Sequence, residues 1–576
     1  MSNGPDASYP RLIWMLWLQG WDKAPQSVRD CRETWSRQNP TWQLNALDLD
    51  GLRKFLPSGI LADILSQPIE SEALSDRIRL ELLHRYGGVW ADATTWCARP
   101  LDDWLPGMMQ AGFFAFAKPG PDRPVSSWFL AAELGSAVIA GWRQAAWDYW
   151  RSRDSRDEYF WLHYCLAKAL VEDPRVAMSF AKMPTISADH PFHFGPDSPQ
   201  LAASPPDDIE AKVASAPPVF KLTHKFKTPP GDGSLLAWFG HKARSLPELG
   251  ANRRRLRTLV AWYGSFAGHG TIGDLQAAEV AVSHLVALGH EVHHATAAET
   301  DFPGALRVQW AAADYGQYDV MVFVCGPILR EHPQTVALFN AAAGVPKVGI
   351  SVSLMPEGHP QYVNPFRAVF AREGGGRSYG DLAIAAPMPI RQERRPQESG
   401  LRIGAAFRGA QGEYGLENCR HDKAEAMLDV LAKLLADQAG ASVTPIENRF
   451  ARAPGGPDGI ERLYESADII LTTRFHGAVG AMRHRKPFVA VDQIAGGAKL
   501  LSLLGPLGWP GLFGVDAATP LDIVRAGLWA MTDQGLAALD DAHLRTTQEA
   551  NRTLAAFDRW LGAFAETLSD NPGERL

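Results

Sequence analysis

The stretch that decides the fold is Ser75–Cys97, "SDRIRLELLHRYGGVWADATTWC". From about Ser75 to Tyr86 it predicts a helix: Ile78, Leu82 and Leu83, with Leu74 just upstream, form one apolar stripe, while Asp76, Arg77 and Glu81 face elsewhere. Gly87-Gly88 ends such a helix as a C-cap does, and the short apolar strand that follows stops on Asp92. An acid at the carboxyl end of a parallel strand faces the crevice where α/β sheets bind ligands. Two readings of Asp92 are open: it caps a turn, or it supplies a hard oxygen ligand to a Mg²⁺ or Mn²⁺ ion that neutralises a diphosphate. Asp76 is equally two-sided, because Ser75-Asp76 is also a common way to begin a helix.

Outward from this segment the pattern is α/β throughout. Upstream lie a strand ("RLIWMLWL"), a helix ("APQSVRDCRETWSRQNP") ended by Asn39-Pro40, and a strand ("WQLNALD"). Thirteen of the nineteen tryptophans fall between Trp14 and Trp161, which separates an aromatic-rich first module from the rest. Loop-rich stretches ("ASPPDDIEAKVASAPP", "KTPPGDGS") and the charged connector "ELGANRRRLR" put the boundary near residue 250, giving domains 1–250 and 251–576. The second domain reads as two Rossmann-like halves, about 256–390 and 400–520, facing a cleft, with Ala- and Leu-rich helices over about 520–570 that pack across both.

The net charge of −7 excludes the basic excess of a nucleic-acid-binding surface. Five scattered cysteines without a CxxC suggest neither a disulfide frame nor a zinc knuckle, and a reducing cytoplasm follows. "LIWMLWL" is too short to span a bilayer, and no other apolar run approaches ~18 residues, so a transmembrane segment is not expected; peripheral membrane association stays open.

In the second domain, "YGSFAGHGTIGDLQAAEV" places four glycines between a strand and a helix, where backbone amides hold an anion or simply turn. In "ADIILTTRFHGAVGAMRHRKPFVAVDQ" a buried strand delivers Arg474 and His476, two positions apart and so on one face, to its carboxyl end. An arginine fork suits a carboxylate or phosphate and a histidine moves a proton near neutral pH. The bland alternatives are an Arg474 ion pair and a His476 helix cap.

The string "LSDRIRLELLHRYGGVWADATTWCARPLDDW", with "LIWMLWLQGWDKAP", "SSWFLAAELG", "YFWLHY" and "PVFKLTHK", resembles the capsular-polysaccharide-synthesis branch of the DXD-containing glycosyltransferases over about residues 10–228. The resemblance implies a GT-A-like Rossmann-type fold in which Trp14, Trp17, Asp76 and Arg79 border a nucleotide-sugar pocket and Asp92 leads a metal motif. Asp92-Ala93-Thr94 departs from the pattern, since a hydroxyl replaces the second acid; His163 or His224 then becomes a candidate to complete the site, though the plainer reading of a histidine among aromatics is a packing residue.

About residues 258–515 resemble the polysaccharide pyruvyl transferase family on Gly273-Asp274, Arg408 in "GAAFRG" and Arg474-Phe475-His476-Gly477. That implies a GT-B-like module moving a pyruvyl group from phosphoenolpyruvate to a sugar without a tightly bound cofactor, the arginines holding the donor and His476 protonating the enol carbon. Lys499 in "GGAKLL" either adds a charge to that pocket or is solvated. Cys325-Gly326-Pro327 stands where relatives show Gly-Gly. Together the resemblances imply a bifunctional bacterial polysaccharide-assembly enzyme whose acceptor is a glycan or lipid-linked saccharide. Competing readings of the second module are a GT-B glycosyltransferase using a nucleotide sugar in the same cleft and a non-catalytic glycan-binding scaffold.

Overall fold

A computed structural model of the chain describes residues 9–67, 69–247, 254–297, 300–374, 378–390, 400–497 and 499–570. The connector around 248–253 and most of the Pro- and Arg-rich stretch at 391–399 lie outside the described residues. The chain divides into two compact units, residues 1–255 with 283–290, and 256–282 with 291–576.

In the first unit a five-stranded sheet runs in the order Gln43–Leu47, Leu12–Leu16, Gly88–Ala91, Arg123–Ala132, Phe113–Gly120. The first three strands are parallel and the last two form an antiparallel edge that the sequence pattern did not announce. A separate two-stranded ribbon pairs Thr95–Cys97 with Val219–Lys221. The deciding helix spans Ser71–Tyr86, one turn longer than predicted, so Ser75 and Asp76 lie inside it and the helix-start reading of Asp76 falls. Its charges are also not on a solvated face. Arg77, Arg79, Glu81 and His84 are buried with the apolar stripe, because helix Ala137–Trp150 covers the other side. Glu81 meets Arg143 at 2.6 Å and accepts from the Trp147 indole at 2.6 Å. Burial would raise the Glu81 pKa, but Arg143, followed by Arg85, brings it down to about 2.

The two glycines do more than stop a helix. Gly88 has φ +88°, and a Cβ there would lie 2.6 Å from the Leu12 carbonyl oxygen, so only glycine lets this strand enter the sheet beside Leu12–Leu16. Within "ASPPDDIEAKVASAPP", expected to be loop, Ile209–Ser215 makes two turns of helix.

The second unit contains two parallel sheets. The first runs Leu306–Val308, Glu291–Ala295, Arg257–Trp262, Val320–Val324, Lys347–Ile350, Ala368–Phe370, which is the doubly wound order 3-2-1-4-5-6. The second runs Ser442–Pro445, Arg402–Ala406, Ile469–Thr472, Phe488–Asp492, Leu512–Gly514, order 2-1-3-4-5. Each sheet has its own apolar core, around Leu259, Phe323 and Leu338 in one and Leu428, Leu471 and Val489 in the other. Helix Asp533–Asp570 touches both halves: Phe557 packs on Phe370 and Thr553 donates to the Gly380 carbonyl, while Arg485 of the second half pairs with Asp540 at 2.5 Å. Among the described residues no helix is long and apolar enough to cross a membrane, and the five cysteines are free.

Candidate functional sites

In the first unit the strand Gly88–Ala91 delivers Asp92 beside the helix that carries Asp76 and Arg79. One Arg79 nitrogen reaches Asp76 at 3.0 Å and Asp92 at 3.3 Å, another donates to the Ser127 carbonyl at 2.7 Å, and the guanidinium lies over Trp90. The Trp90 indole donates to Asp92 at 2.9 Å. On its other side Asp92 receives Lys221 Nζ at 2.7 Å, and the same ammonium donates to Thr94 Oγ1 at 2.8 Å. Burial pushes the Asp92 carboxyl up, but Lys221 and then Arg79 outweigh it and hold the group below its ordinary range. Asp76 goes the other way: burial raises it to about 6, against Arg79 and with help from Asp92.

The residues expected to border this site divide. Trp17 stands edge-on to His224, at 5.2 Å between ring centroids, and its indole nitrogen and His224 Nδ1 are both buried without a hydrogen-bond partner. Trp14 is a correction: wholly buried, it donates to the Gly87 carbonyl and packs on Phe55 and Tyr86, so it builds the core. His163 packs edge-on to Phe160, and burial, followed by Arg123 and Arg79, lowers its pKa to about 4. Among the described residues no cluster of three histidine, cysteine or acidic ligand atoms includes Asp92. The expected divalent cation does not fit this donor set: one carboxylate and one hydroxyl already share an ammonium, with a guanidinium behind it.

Of the residues predicted from sequence in the second unit, Asp274, Arg408, Arg474, His476 and Lys499 line one pocket of about 350 Å³. Its walls come from the switch points of both sheets: Tyr263–Asp274 follows strand Arg257–Trp262, Gly326 and Pro327 follow Val320–Val324, Arg408 and Gln411 follow Arg402–Ala406, and Thr473–His476 follows Ile469–Thr472. Arg372, Arg408, Arg449, Arg452, Arg474 and Lys499 line it, against one lining acid, Asp274.

The reason given for pairing Arg474 with His476 needs correcting. The strand ends at Thr472; Arg474 is the N-cap of helix Phe475–His484 and His476 lies in its first turn, so strand alternation does not align them. They share the pocket because the chain turns there, with Arg474 Nε donating to the Phe407 carbonyl at 2.6 Å. Burial, and then Arg408, lowers the Arg474 pKa.

His476 is held on both nitrogens. Nδ1 lies 3.3 Å from Thr271 Oγ1; Nε2 lies 3.1 Å from Arg372 and 3.5 Å from Asp381. The carboxylate suits the protonated ring and the guanidinium the neutral one. Arg372 and Asp381 are themselves a buried pair in direct contact. Gly273, expected to bind donor, makes room for this ring: a Cβ would lie 2.2 Å from His476 Cγ. Asp274 accepts from the backbone N–H and hydroxyl of Thr271, at 2.9 and 2.8 Å, fixing the residue that meets His476.

Asp274, Cys325 and His476 approach closely enough to suggest a metal, but the buried Arg372 guanidinium is 3.3 Å from Cys325 Sγ and 3.1 Å from His476, a cation already in place. Cys325 takes the left-handed conformation, φ +62°, that favours glycine. Lys499 is buried against Tyr414 rather than solvated; burial, and then Arg408, lowers its pKa to about 8. Arg408 pairs with Glu413 at 3.0 Å.

Sequence reasoning missed Lys221, Arg372, Asp381, Arg449 and Arg452. Arg372 carried a usable signal, since it follows the strand Ala368–Phe370 by two residues, just as Arg408 follows Arg402–Ala406. Lys221 lies in the string "PVFKLTHK", but nothing local in the sequence joins it to Asp92, which it reaches only through the ribbon.

A doubly wound unit with a cationic switch-point pocket has the charge and geometry that suit an anion. The comparisons narrow this. Residues 2–233 match the family described as Capsular polysaccharide synthesis protein, and residues 379–493 match Polysaccharide pyruvyl transferase. The chain is 26% identical over 157 residues to "O-glycosyltransferase braB" of Annulohypoxylon truncatum and 27% identical over 158 residues to "Glycosyltransferase afumC" of Aspergillus fumigatus. Each match takes in 24% of this chain and spans 37% and 40% of those relatives, respectively. A solved structure, "Crystal Structure Analysis of the Glycotransferase of kitacinnamycin", is 14% identical and covers 54% of this chain and 99% of its own, at a TM-score of 0.33, too low to bear on the fold. The chain thus carries one region similar to glycosyltransferases and one similar to pyruvyl transferases.

Proposed function

We propose that the protein is a bifunctional enzyme of polysaccharide assembly, whose first unit, of GT-A type, transfers a sugar from a nucleotide sugar to a glycan or lipid-linked acceptor and whose second, of GT-B type, transfers a pyruvyl group from phosphoenolpyruvate to a sugar. The observation that carries the second half is the pocket in which His476 stands among six cationic side chains at the switch points of two parallel sheets. Phosphoenolpyruvate brings a carboxylate and a phosphate, and Arg408, Arg474 and Lys499 offer the matching donors. His476 protonates the methylene carbon, which becomes the methyl group. Two sugar hydroxyl oxygens then bond to the neighbouring carbon while its bond to the phosphate oxygen breaks; one hydroxyl proton restores His476 and the other leaves with phosphate. Asp381 steadies the imidazolium and Arg372 the neutral ring.

In the first unit Asp76, Arg79 and Asp92 form the polar floor of the donor site, and the unpartnered nitrogens of Trp17 and His224 suit a polar ligand beside it. Calorimetric titration of phosphoenolpyruvate into the full chain tests the pyruvyl reading. Binding that Arg474→Ala abolishes is the expected result; no binding by the wild-type protein overturns the reading.

A further inference from the structure

We propose that Lys221 is the built-in cation of the first unit, holding the diphosphate of the donor in the place where a DXD motif would hold a metal ion. The proposal rests on the glycosyl-transfer reading above.

The ribbon dictates the geometry. Lys221 pairs with Thr95 across it, and the Leu222 N–H donates to the Thr94 carbonyl at 2.9 Å, so the lysine side chain is carried onto the Asp92-Ala93-Thr94 turn. Its ammonium takes one oxygen from the first position of that motif and one from the third, at 2.7 and 2.8 Å. These are ammonium–oxygen hydrogen-bond lengths, well beyond the ~2.1 Å of Mg²⁺ coordination. An ammonium has three donors; two are spoken for by Asp92 and Thr94, and the side chain is 20% exposed, so the third is free to meet a phosphate oxygen.

Charge makes the same point. A DXD pair supplies two carboxylates for a divalent ion. Here Thr94 removes one of them and a single ammonium balances the Asp92 that remains. Arg79 and Asp76 form the adjoining pair. A divalent ion inserted between Asp92 and Thr94 would have to displace Lys221 and face Arg79, with only one full negative charge at the motif to hold it.

In the transfer step the bond from the anomeric carbon to the diphosphate oxygen breaks and the electron pair leaves with the diphosphate. The acceptor hydroxyl oxygen bonds to the anomeric carbon and its proton passes to solvent. Lys221 stays protonated throughout and stabilises the charge that develops on the leaving oxygen.

Two measurements on the purified full chain test this. Mn²⁺ alone is titrated and followed by electron paramagnetic resonance, and UDP, GDP, CDP and dTDP are titrated calorimetrically with EDTA or with Mn²⁺. Wild-type protein is expected to bind Mn²⁺ no more tightly than Asp92→Asn does. At least one nucleoside diphosphate should bind equally with EDTA or Mn²⁺, and Lys221→Met should weaken that binding about tenfold. The pair Thr94→Asp with Lys221→Ala should gain a Mn²⁺ site that a further Asp92→Asn removes. Mn²⁺ bound by the wild type through Asp92, nucleotide affinity raised about tenfold or more by Mn²⁺, or no effect of Lys221→Met overturns the proposal and leaves glycosyl transfer standing. A wild-type protein that binds none of the four nucleotides under either condition overturns the glycosyl-transfer reading itself. The wild-type arms hold even where a variant fails to fold.

Discussion

The two sites are built on opposite electrostatic plans. Around Asp92 the charges close on themselves: Asp76 and Asp92 face Arg79 and Lys221, two against two, within 3.3 Å. The second unit's pocket is lined by six cationic side chains and one acid, and Asp381, Glu413 and Glu447 reach its cations from behind. A self-compensated cluster keeps its geometry without a ligand and offers one only the donors its pairs leave over, whereas a cationic pocket has an electrostatic deficit that an anion fills. The first design depends on fold-level positioning of a few residues, the second on the count of charges around His476.

The largest test of this contrast is His476→Ala. Loss of the proposed proton donor from a pocket that retains its cations should lower phosphoenolpyruvate turnover about a thousandfold while leaving phosphoenolpyruvate affinity nearly unchanged. Calorimetry beside a phosphate-release assay separates the two; equal losses of both would mean that His476 binds rather than reacts.

Next is Gly88→Ala, aimed at the first unit's reliance on position. A methyl group at φ +88°, 2.6 Å from the Leu12 carbonyl, should cost about 3 kcal/mol of stability, combining backbone strain with overpacking. Denaturant unfolding followed through the first unit's tryptophans reads it. A neutral result would mean that the sheet adjusts, and that Asp92 is placed by something other than the tight approach of these two strands.

Gly273→Ala asks the same question of the second unit. The added methyl would lie 2.2 Å from the His476 ring and must push it off Thr271 and Asp381, lowering turnover about a hundredfold with little change in phosphoenolpyruvate binding.

How much of this was readable from the chain depends on how local the determinant is. Asp92 was legible because glycines, strand and acid are contiguous. Its partner Lys221 lies 129 residues away and arrives through an antiparallel ribbon, which no periodicity reports. The helix carrying Asp76 and Arg79 was placed correctly, but its charges were only set apart from the apolar stripe, with no partner named for them; Glu81 is buried with Arg143, from a helix 62 residues on, pairing with it. Arg474 and His476 were found as a motif through an argument about strand faces that the turn at Thr472–Arg474 invalidates. The parallel halves of the second unit were legible from their unbroken apolar strands, whereas the hairpin Phe113–Ala132 has a first strand, "FFAFA", with no alternation to betray its antiparallel edge.

The smallest effect expected is also the one that depends most on the cationic plan. Lys499 titrates near pH 8 in the folded protein because burial and then Arg408 disfavour its charge, against Glu413 and Glu373. Its ammonium is therefore present below about pH 8 and lost as pH rises through that value, although an ordinary lysine keeps its charge to about pH 10.4. Phosphoenolpyruvate affinity should fall about tenfold from pH 7 to pH 9, the loss of one charge-assisted hydrogen bond, and Lys499→Met should flatten that dependence. Binding of a multiply charged anion restores the favoured charge on Lys499, so between pH 8 and 9 the complex should take up a proton. Calorimetry in buffers of different ionisation enthalpy measures that uptake directly. A pH-independent affinity with no proton uptake would place Lys499 outside the donor's reach and leave the arginines alone to fill the deficit.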